Sequence, residues 1–362
     1  MRKVLVLSNM YPSKSFPHYG IFVKNTNILL QRSGYKVFNS VMKKTDNKVL
    51  KLLRYMYFLL RSVIMLNFKK FDVVYVHYPA FSAIPLRFWH RNKCKVIINI
   101  HGNDLVAEEE KDIFFMKNTD FAVAESDYVV VPSNYFRKEF IKKYKDYNFD
   151  KLFVFPSGGV NKEIFFPEDK CLAAGKLNLD PKYKYISFVS RIEINKGWDL
   201  FIESAKSLKK ILPNYRYIIV GAGTQEKDLE NMIKKLNLED LIIKYDYLPH
   251  EELRNIFNVS EFFCFPTMRK SESLGLVGLE AMACQSIVIA SSGTGPSSYV
   301  QDNYNGFLLK ENTSEEISRN ILKVVSMSEK AKRDVQEKAE KTTIKYSLDN
   351  TAKSFEQFID SI

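Results

Sequence analysis

Cysteine is scarce in this chain of 362 residues: Cys94, Cys171, Cys264 and Cys284 lie far apart in sequence. That spacing offers no paired metal-ligand pattern and fits a reduced cytoplasmic chain. No Asp-x-Asp pair and no Cys/His cluster is present, so neither a divalent ion nor another cofactor is implied. No apolar run approaches a membrane-spanning length. The start, MRKVLVLSNMYP, has too short an apolar stretch for a secretory signal and no small-residue cleavage site, and reads as a first buried strand. No strand is followed by the glycine fingerprint of a dinucleotide site, which argues against a dehydrogenase. Internal repeats and low-complexity segments are absent as well.

Aromatic residues, by contrast, are plentiful. With 27 Phe and 20 Tyr the chain carries too much aromatic surface to remain disordered in water. Its length suits two ordinary domains with cores of their own.

Acid is missing from one region in particular. The first seventy residues hold 14 Lys and Arg against a single acid, Asp46. Residues 1–180 hold 29 basic and 17 acidic residues, a balance of +12, while residues 181–362 hold 25 of each and balance to zero. A basic half joined to a neutral one predicts that one domain faces something anionic. From Lys43 to Lys70 the charge is interleaved with Leu, Phe, Tyr and Met. On a helical wheel Leu50, Leu53, Tyr57, Leu60 and Ile64 share one face, with Lys44, Lys48, Lys51, Arg54 and Arg61 in a sector beside it. Such a helix can lie in the surface of an anionic bilayer. Equally, it can pack on its own sheet with its charges solvated. No nucleic-acid-binding motif accompanies the charge, so a nucleic-acid partner is not expected.

Short apolar runs alternate with helical patterns along both halves: KVLVLSN, FDVVYVH, KVIINIHG, YVVVPS and KLFVFPSG, then YISFVSR, RYIIVG, LIIKYDYL, FFCFPT and SIVIAS. Continuous rather than alternating apolar runs predict strands covered on both faces, hence parallel sheets with crossover helices. The fold expected is α/β, with two Rossmann-like doubly wound domains. The stretch from about Pro156 to Lys184 has no strand pattern and reads as the linker between them. The expected division is 1–165, 166–341 and a closing helix over 342–362.

Chemistry concentrates at the ends of the second-half strands. Arg191 closes one strand and Lys196 follows in the loop before a helix opening near Gly197. Two cations beside a helix N-terminus suit a doubly charged phosphate group, or are two solvated surface charges. Further on, Glu272 precedes the Ser273-Leu274-Gly275-Leu276 turn and Glu280 lies eight residues later. Amides at that turn can meet phosphate or sugar oxygens while a carboxylate reaches a hydroxyl pair. The same two glutamates also suit exposed helix positions.

Taken together, Arg191 and Lys196, IIVGAG with Gly221, ESLGLVGLEAMA with Glu272 and Glu280, and SIVIASSGTGPSSYVQDNYNGFLL resemble the family 4 retaining glycosyltransferases of GT-B fold, in which two such domains face each other across a cleft. The likeness covers nearly all of residues 185–310; in the first half HGND, VPSNYFRKEF and VFPSGGVNKEIFFP agree more loosely, and SLDNTAKSFEQFIDSI resembles the returning C-terminal helix. The resemblance implies that Arg191 and Lys196 hold the donor diphosphate and that Glu280 holds the nucleotide ribose. It places Glu272 and His101 at the donor sugar, Gly20 near the phosphates, and backbone near Leu248 and Pro249 at the nucleobase. It also implies retention of configuration. A lone histidine is commonly structural, and Asp104 is commonly a helix cap.

The pattern departs from the family at three places. One glycine, Gly20, stands where two are usual; Ser273 replaces a glycine; and Ser298 stands where a carboxylate is usual. The activity expected is metal-independent transfer of a sugar from a nucleotide-sugar to a lipid-linked or saccharide acceptor in surface polysaccharide assembly, at the inner face of the cell membrane. Weighed against it are a nucleotide-sugar epimerase and a non-catalytic sugar-nucleotide-binding subunit.

Overall fold

A computed structural model describes residues 1–91 and 93–362. The chain forms two compact units: Met1–Gly158 with Asp349–Ile362, and Gly159–Leu348.

The first unit is built on six parallel strands, β1 (Lys3–Ser8), β2 (Lys36–Val41), β3 (Val73–His77), β4 (Lys95–Asn99), β5 (Tyr128–Val131) and β6 (Leu152–Val154), in the order β2-β1-β3-β4-β5-β6. The continuous apolar runs are buried on both faces. Leu5, Leu7, Val74, Val76 and Ile98 point into one core, and Val4, Val6, Tyr75 and Ile97 into the other. Strand order reverses between β1 and β3, and at such a reversal the loops after the two strands part and leave a crevice at their carboxyl ends.

The helix Lys48–Phe68 starts where the Asn47 side chain accepts the Leu50 N–H at 2.9 Å. Its inner face is Phe58, Ser62, Met65 and Leu66, all buried, and the Ser62 hydroxyl meets that of Ser40 on β2 at 2.8 Å. Its outer face is apolar too: Val49, Leu52, Leu53, Met56, Tyr57, Leu60, Ile64 and Phe68 are all exposed, Phe68 to 83%. The charges sit beside this stripe, with Arg54 donating to the carbonyls of Lys43 and Lys44.

The second unit repeats the plan with β7 (Lys184–Val189), β8 (Tyr215–Val220), β9 (Ile242–Tyr245), β10 (Ser260–Phe265), β11 (Ile287–Ser291) and β12 (Phe307–Leu309), ordered β12-β11-β10-β7-β8-β9 and parallel throughout. Its reversal lies between β7 and β10.

The division falls between Gly158 and Gly159 rather than after residue 165. Val160 and Phe165 are buried in the second core, and the Val160 N–H donates to the Tyr346 carbonyl at 2.8 Å. A Cβ on Gly159 would lie 2.7 Å from that same oxygen, so only glycine allows the approach. The stretch expected as a bare linker holds a helix, Lys170–Lys176, whose Ala173 and Ala174 join the second core. The closing helix begins at Leu348, because residues 342–345 finish the helix Glu329–Lys345, buried through Ala339 and Thr343. The helix Leu348–Asp360 then returns to the first unit's core: Phe355 is wholly buried 4.5 Å from the Phe155 ring, and Phe358 stacks on Phe153 at 4.3 Å.

Candidate functional site

In the second unit, the loops that follow β7, β8, β9 and β10 all leave the same edge of the sheet, because every strand runs the same way. Arg191 lies just past β7 and is exposed, with no side-chain hydrogen bond or ion pair among the described residues. The chain then turns through Asn195, in a left-handed conformation, to Lys196 and Gly197. Gly197 has a φ of 80°, and a Cβ there would lie 2.1 Å from the Pro266 carbonyl. This tight approach brings the loop after β7 against the loop after β10.

Lys196 is only 8% exposed and its Nζ donates to Glu272 Oε2 at 2.6 Å. Residues 76 apart in sequence thus form one half-sequestered ion pair at the strand-order reversal. Glu272 is fixed through its backbone as well: its carbonyl accepts the Gly295 N–H at 3.0 Å. Gly221, with a φ of 150°, lies past β8, where a Cβ would fall 1.8 Å from the Ser190 carbonyl. Leu248 follows β9 with its side chain in the core, so any ligand contact there falls to the backbone.

The turn after Glu272 leads into the helix Leu276–Ala283. Ser273 is half-buried, Leu274 is 4% exposed and held in the core, and Gly275 takes the left-handed conformation as N-cap, φ 73°. The Tyr299 hydroxyl donates to the Gly275 carbonyl at 2.8 Å, locking the turn. Like the first amides of any helix, those of Gly275, Leu276 and Val277 have no intrahelical acceptor. One turn on, Glu280 is 8% exposed, and its carboxyl makes no hydrogen bond or ion pair among the described residues. Burial alone raises its pKa from 4.5 to about 7. The exposed-helix reading of these glutamates therefore does not hold. One carboxylate neutralises a lysine, and the other is buried without a partner.

Ser298, where the usual carboxylate is missing, lies in the 3-10 turn Gly295–Ser298, with its carbonyl accepting from the Tyr346 hydroxyl at 3.1 Å.

The remaining two candidates, Gly20 and His101, belong to the first unit. Gly20, φ 73°, opens the helix Ile21–Arg32 after the loop from β1, and a Cβ would lie 2.7 Å from the Met10 carbonyl carbon. That helix places the Phe22 ring 4.1 Å from the His101 ring. His101 lies past β4. Its N–H and that of Gly102 donate to the carboxylate of Asp104, which is wholly buried and whose pKa burial raises to about 7. Asp104 therefore pins the histidine turn, and no helix begins at it: the next one starts at Glu110. Burial holds the His101 imidazole neutral, at about 3. Sequence reasoning missed its neighbour. His77 ends β3, is fully buried, and places Nδ1 2.9 Å from His101 Nε2. The sequence offered only a histidine closing the apolar run FDVVYVH, with nothing in it to name the partner.

No three His, Cys, Asp or Glu residues are grouped to hold a metal ion among the described residues.

Two doubly wound parallel sheets of this order define the GT-B class of glycosyltransferase. The chain is similar along its whole length to the solved sucrose-phosphate synthase of Thermosynechococcus elongatus, with a TM-score of 0.79, 16% identity, and 100% and 99% of the two chains covered. It is likewise similar to Anabaena HepE in complex with UDP-glucose, with a TM-score of 0.74, 15% identity and both chains fully covered. In sequence, the profile of "Glycosyl transferases group 1" matches residues 172–342 and that of "Glycosyltransferase Family 4" residues 22–159. The chain belongs to the family 4 glycosyltransferases. A curated relative, an uncharacterized glycosyltransferase of Methanocaldococcus jannaschii, is 27% identical over 264 residues, 71% of this chain and 66% of the relative.

Proposed function

We propose that the protein is a retaining, metal-independent glycosyltransferase that moves a sugar from a nucleotide-sugar to a lipid-linked or saccharide acceptor. The observation that carries this reading is Glu280, a carboxylate nine-tenths buried yet left without a protein partner at the strand-order reversal. A carboxylate so largely desolvated, with no protein donor among the described residues, is open to donors from a ligand, and two vicinal ribose hydroxyls suit it. Arg191 and Lys196 then hold the diphosphate, and the free amides of the Gly275–Val277 turn add to them. A solved neighbour of the same fold binds UDP-glucose.

As the sugar–phosphate bond breaks, negative charge grows on the departing phosphate. Cations fixed beside that oxygen stabilise the transition state more than the ground state. Donor phosphate displaces the Glu272 carboxylate from Lys196, which frees Glu272 to orient sugar hydroxyls. The acceptor hydroxyl attacks from the face the phosphate leaves, and its proton passes to that phosphate, so no protein nucleophile is needed. Within the first unit, the neutral His101 offers a hydrogen bond to a sugar hydroxyl, and Gly20 leaves its turn open to a phosphate oxygen. Surface polysaccharide assembly at the inner membrane face is the setting that suits a basic first unit with an exposed apolar helix.

A donor panel tests this: purified protein with UDP-, GDP- and ADP-sugars, with and without a membrane lipid extract, and with a chelator present. The expected result is nucleoside diphosphate release that needs the lipid extract and survives the chelator, with the anomeric configuration retained. Release without acceptor supports an epimerase or hydrolase instead. Donor-dependent thermal stabilisation without release supports a binding subunit.

A further inference from the structure

We propose that His77 fixes His101 as its Nδ1–H tautomer, so that the ring presents a single hydrogen-bond donor to a ligand oxygen. His77 is fully buried at the end of β3, its ring 4.8 Å from that of Tyr75 and 5.7 Å from that of Phe22. The two imidazoles lie 23° from coplanar with centroids 5.2 Å apart. Between His77 Nδ1 and His101 Nε2, 2.9 Å apart, there is one proton to place. His77 Nε2 is buried with no hydrogen-bond partner among the described residues. If His101 donated, the proton of neutral His77 would sit on that Nε2 and strand a buried N–H. Stranded buried donors are the rarer and costlier defect, whereas an unused nitrogen lone pair is tolerated more easily.

The proton therefore belongs on His77 Nδ1, and His101 Nε2 accepts it. His101 is kept neutral by burial, so its own proton lies on Nδ1, the nitrogen with no protein partner among the described residues. The rest of the turn holds that donor in place. Phe22 covers one face of the ring, and the Asp104 carboxylate takes the His101 N–H at 3.0 Å. In a histidine the hydrogen bond of one nitrogen decides what the other can offer. His77 is thus a positioning residue: it touches no ligand and acts through His101. The role in turnover rests on the transferase reading, while the tautomer does not.

Long-range proton–nitrogen NMR of the histidine-labelled full chain reads the tautomer directly, with His101→Gln locating the signal among five histidines. The expected wild-type pattern is Nδ1–H. In His77→Phe it should shift toward Nε2–H, with kcat lower by roughly 10- to 100-fold and the donor KM little changed. His77→Asn, whose amide N–H can reach the same nitrogen, should keep the Nδ1–H pattern and most of kcat. A wild-type Nε2–H pattern overturns the proposal, as does an unaltered tautomer or kcat in a folded His77→Phe. If His77→Phe does not fold, the wild-type and His77→Asn spectra decide. Absence of any transfer by the wild type would sink the transferase reading and leave the tautomer result standing.

Discussion

Glu280 ties stability to pH through a single side chain. Its carboxyl holds a proton more tightly folded, at about 7, than in the unfolded chain, near 4.5. Its contribution is therefore fully present below pH 4.5 and is lost as pH rises to about 7 and above. Glu280→Gln removes the buried charge. The variant should be more stable than the parent at pH 8, by about 1–3 kcal/mol, with the gain vanishing toward pH 4.5. Thermal melts across that range check it, and an equal gain at both ends would show that the charge is not the cause. At pH 8 the same variant should lose donor-dependent stabilisation. None of this was legible from spacing. Glu272 and Glu280 stand eight apart in sequence, but only the fold decides that one neutralises Lys196 and the other stays unpaired. His77 was hidden for the same reason, since its partner lies in the loop after a different strand.

Elements were more legible than sites, and the exceptions have physical causes. Ten of the strands announce themselves as continuous apolar runs, because two covered faces demand apolar residues at every position. The two that do not lie at sheet edges. β2, KVFNSV, is half-exposed through most of its length and carries Asn39 and Ser40, which bond to Asn27 and Ser62. β12 has only three residues. The tail misled differently: one polar helix and one core-bound helix run together in sequence, with only the break at Tyr346–Ser347 between them. The second is the one that matters for stability. Phe355→Ala should cost about 3–5 kcal/mol, since a wholly buried ring leaves a cavity against Phe155 and Tyr75. Two-stage unfolding, with only the stage of the first unit shifted, is the expected denaturation profile. A shift of the second unit's stage instead would contradict the assignment of this helix.

For the molecule as a whole, charge and exposed apolar surface fall on the same side of the division at Gly158. The first unit holds 27 basic and 16 acidic residues, +11 of the net +12, and the Lys48–Phe68 helix turns an apolar stripe outward where a helix that only covered its sheet would be polar. No helix among the described residues is long and apolar enough to cross a membrane. If the helix docks on an anionic bilayer, as proposed, each basic residue beside the stripe contributes about 1 kcal/mol to binding. Replacing Lys48, Lys51, Arg54 and Arg61 together by Gln should lower binding to anionic vesicles by at least about tenfold, read by sedimentation at low salt. Unchanged binding would remove the membrane argument.

The order in which this architecture can be completed follows from where its last helix packs. Residues 349–362 finish the core laid down by β1, β3 and β6, yet they are translated after the whole of Gly159–Leu348. On the ribosome the second unit can close while it emerges, whereas the first, though made earlier, stays open on one face until Phe355 arrives. The unit synthesised first is thus the last to mature.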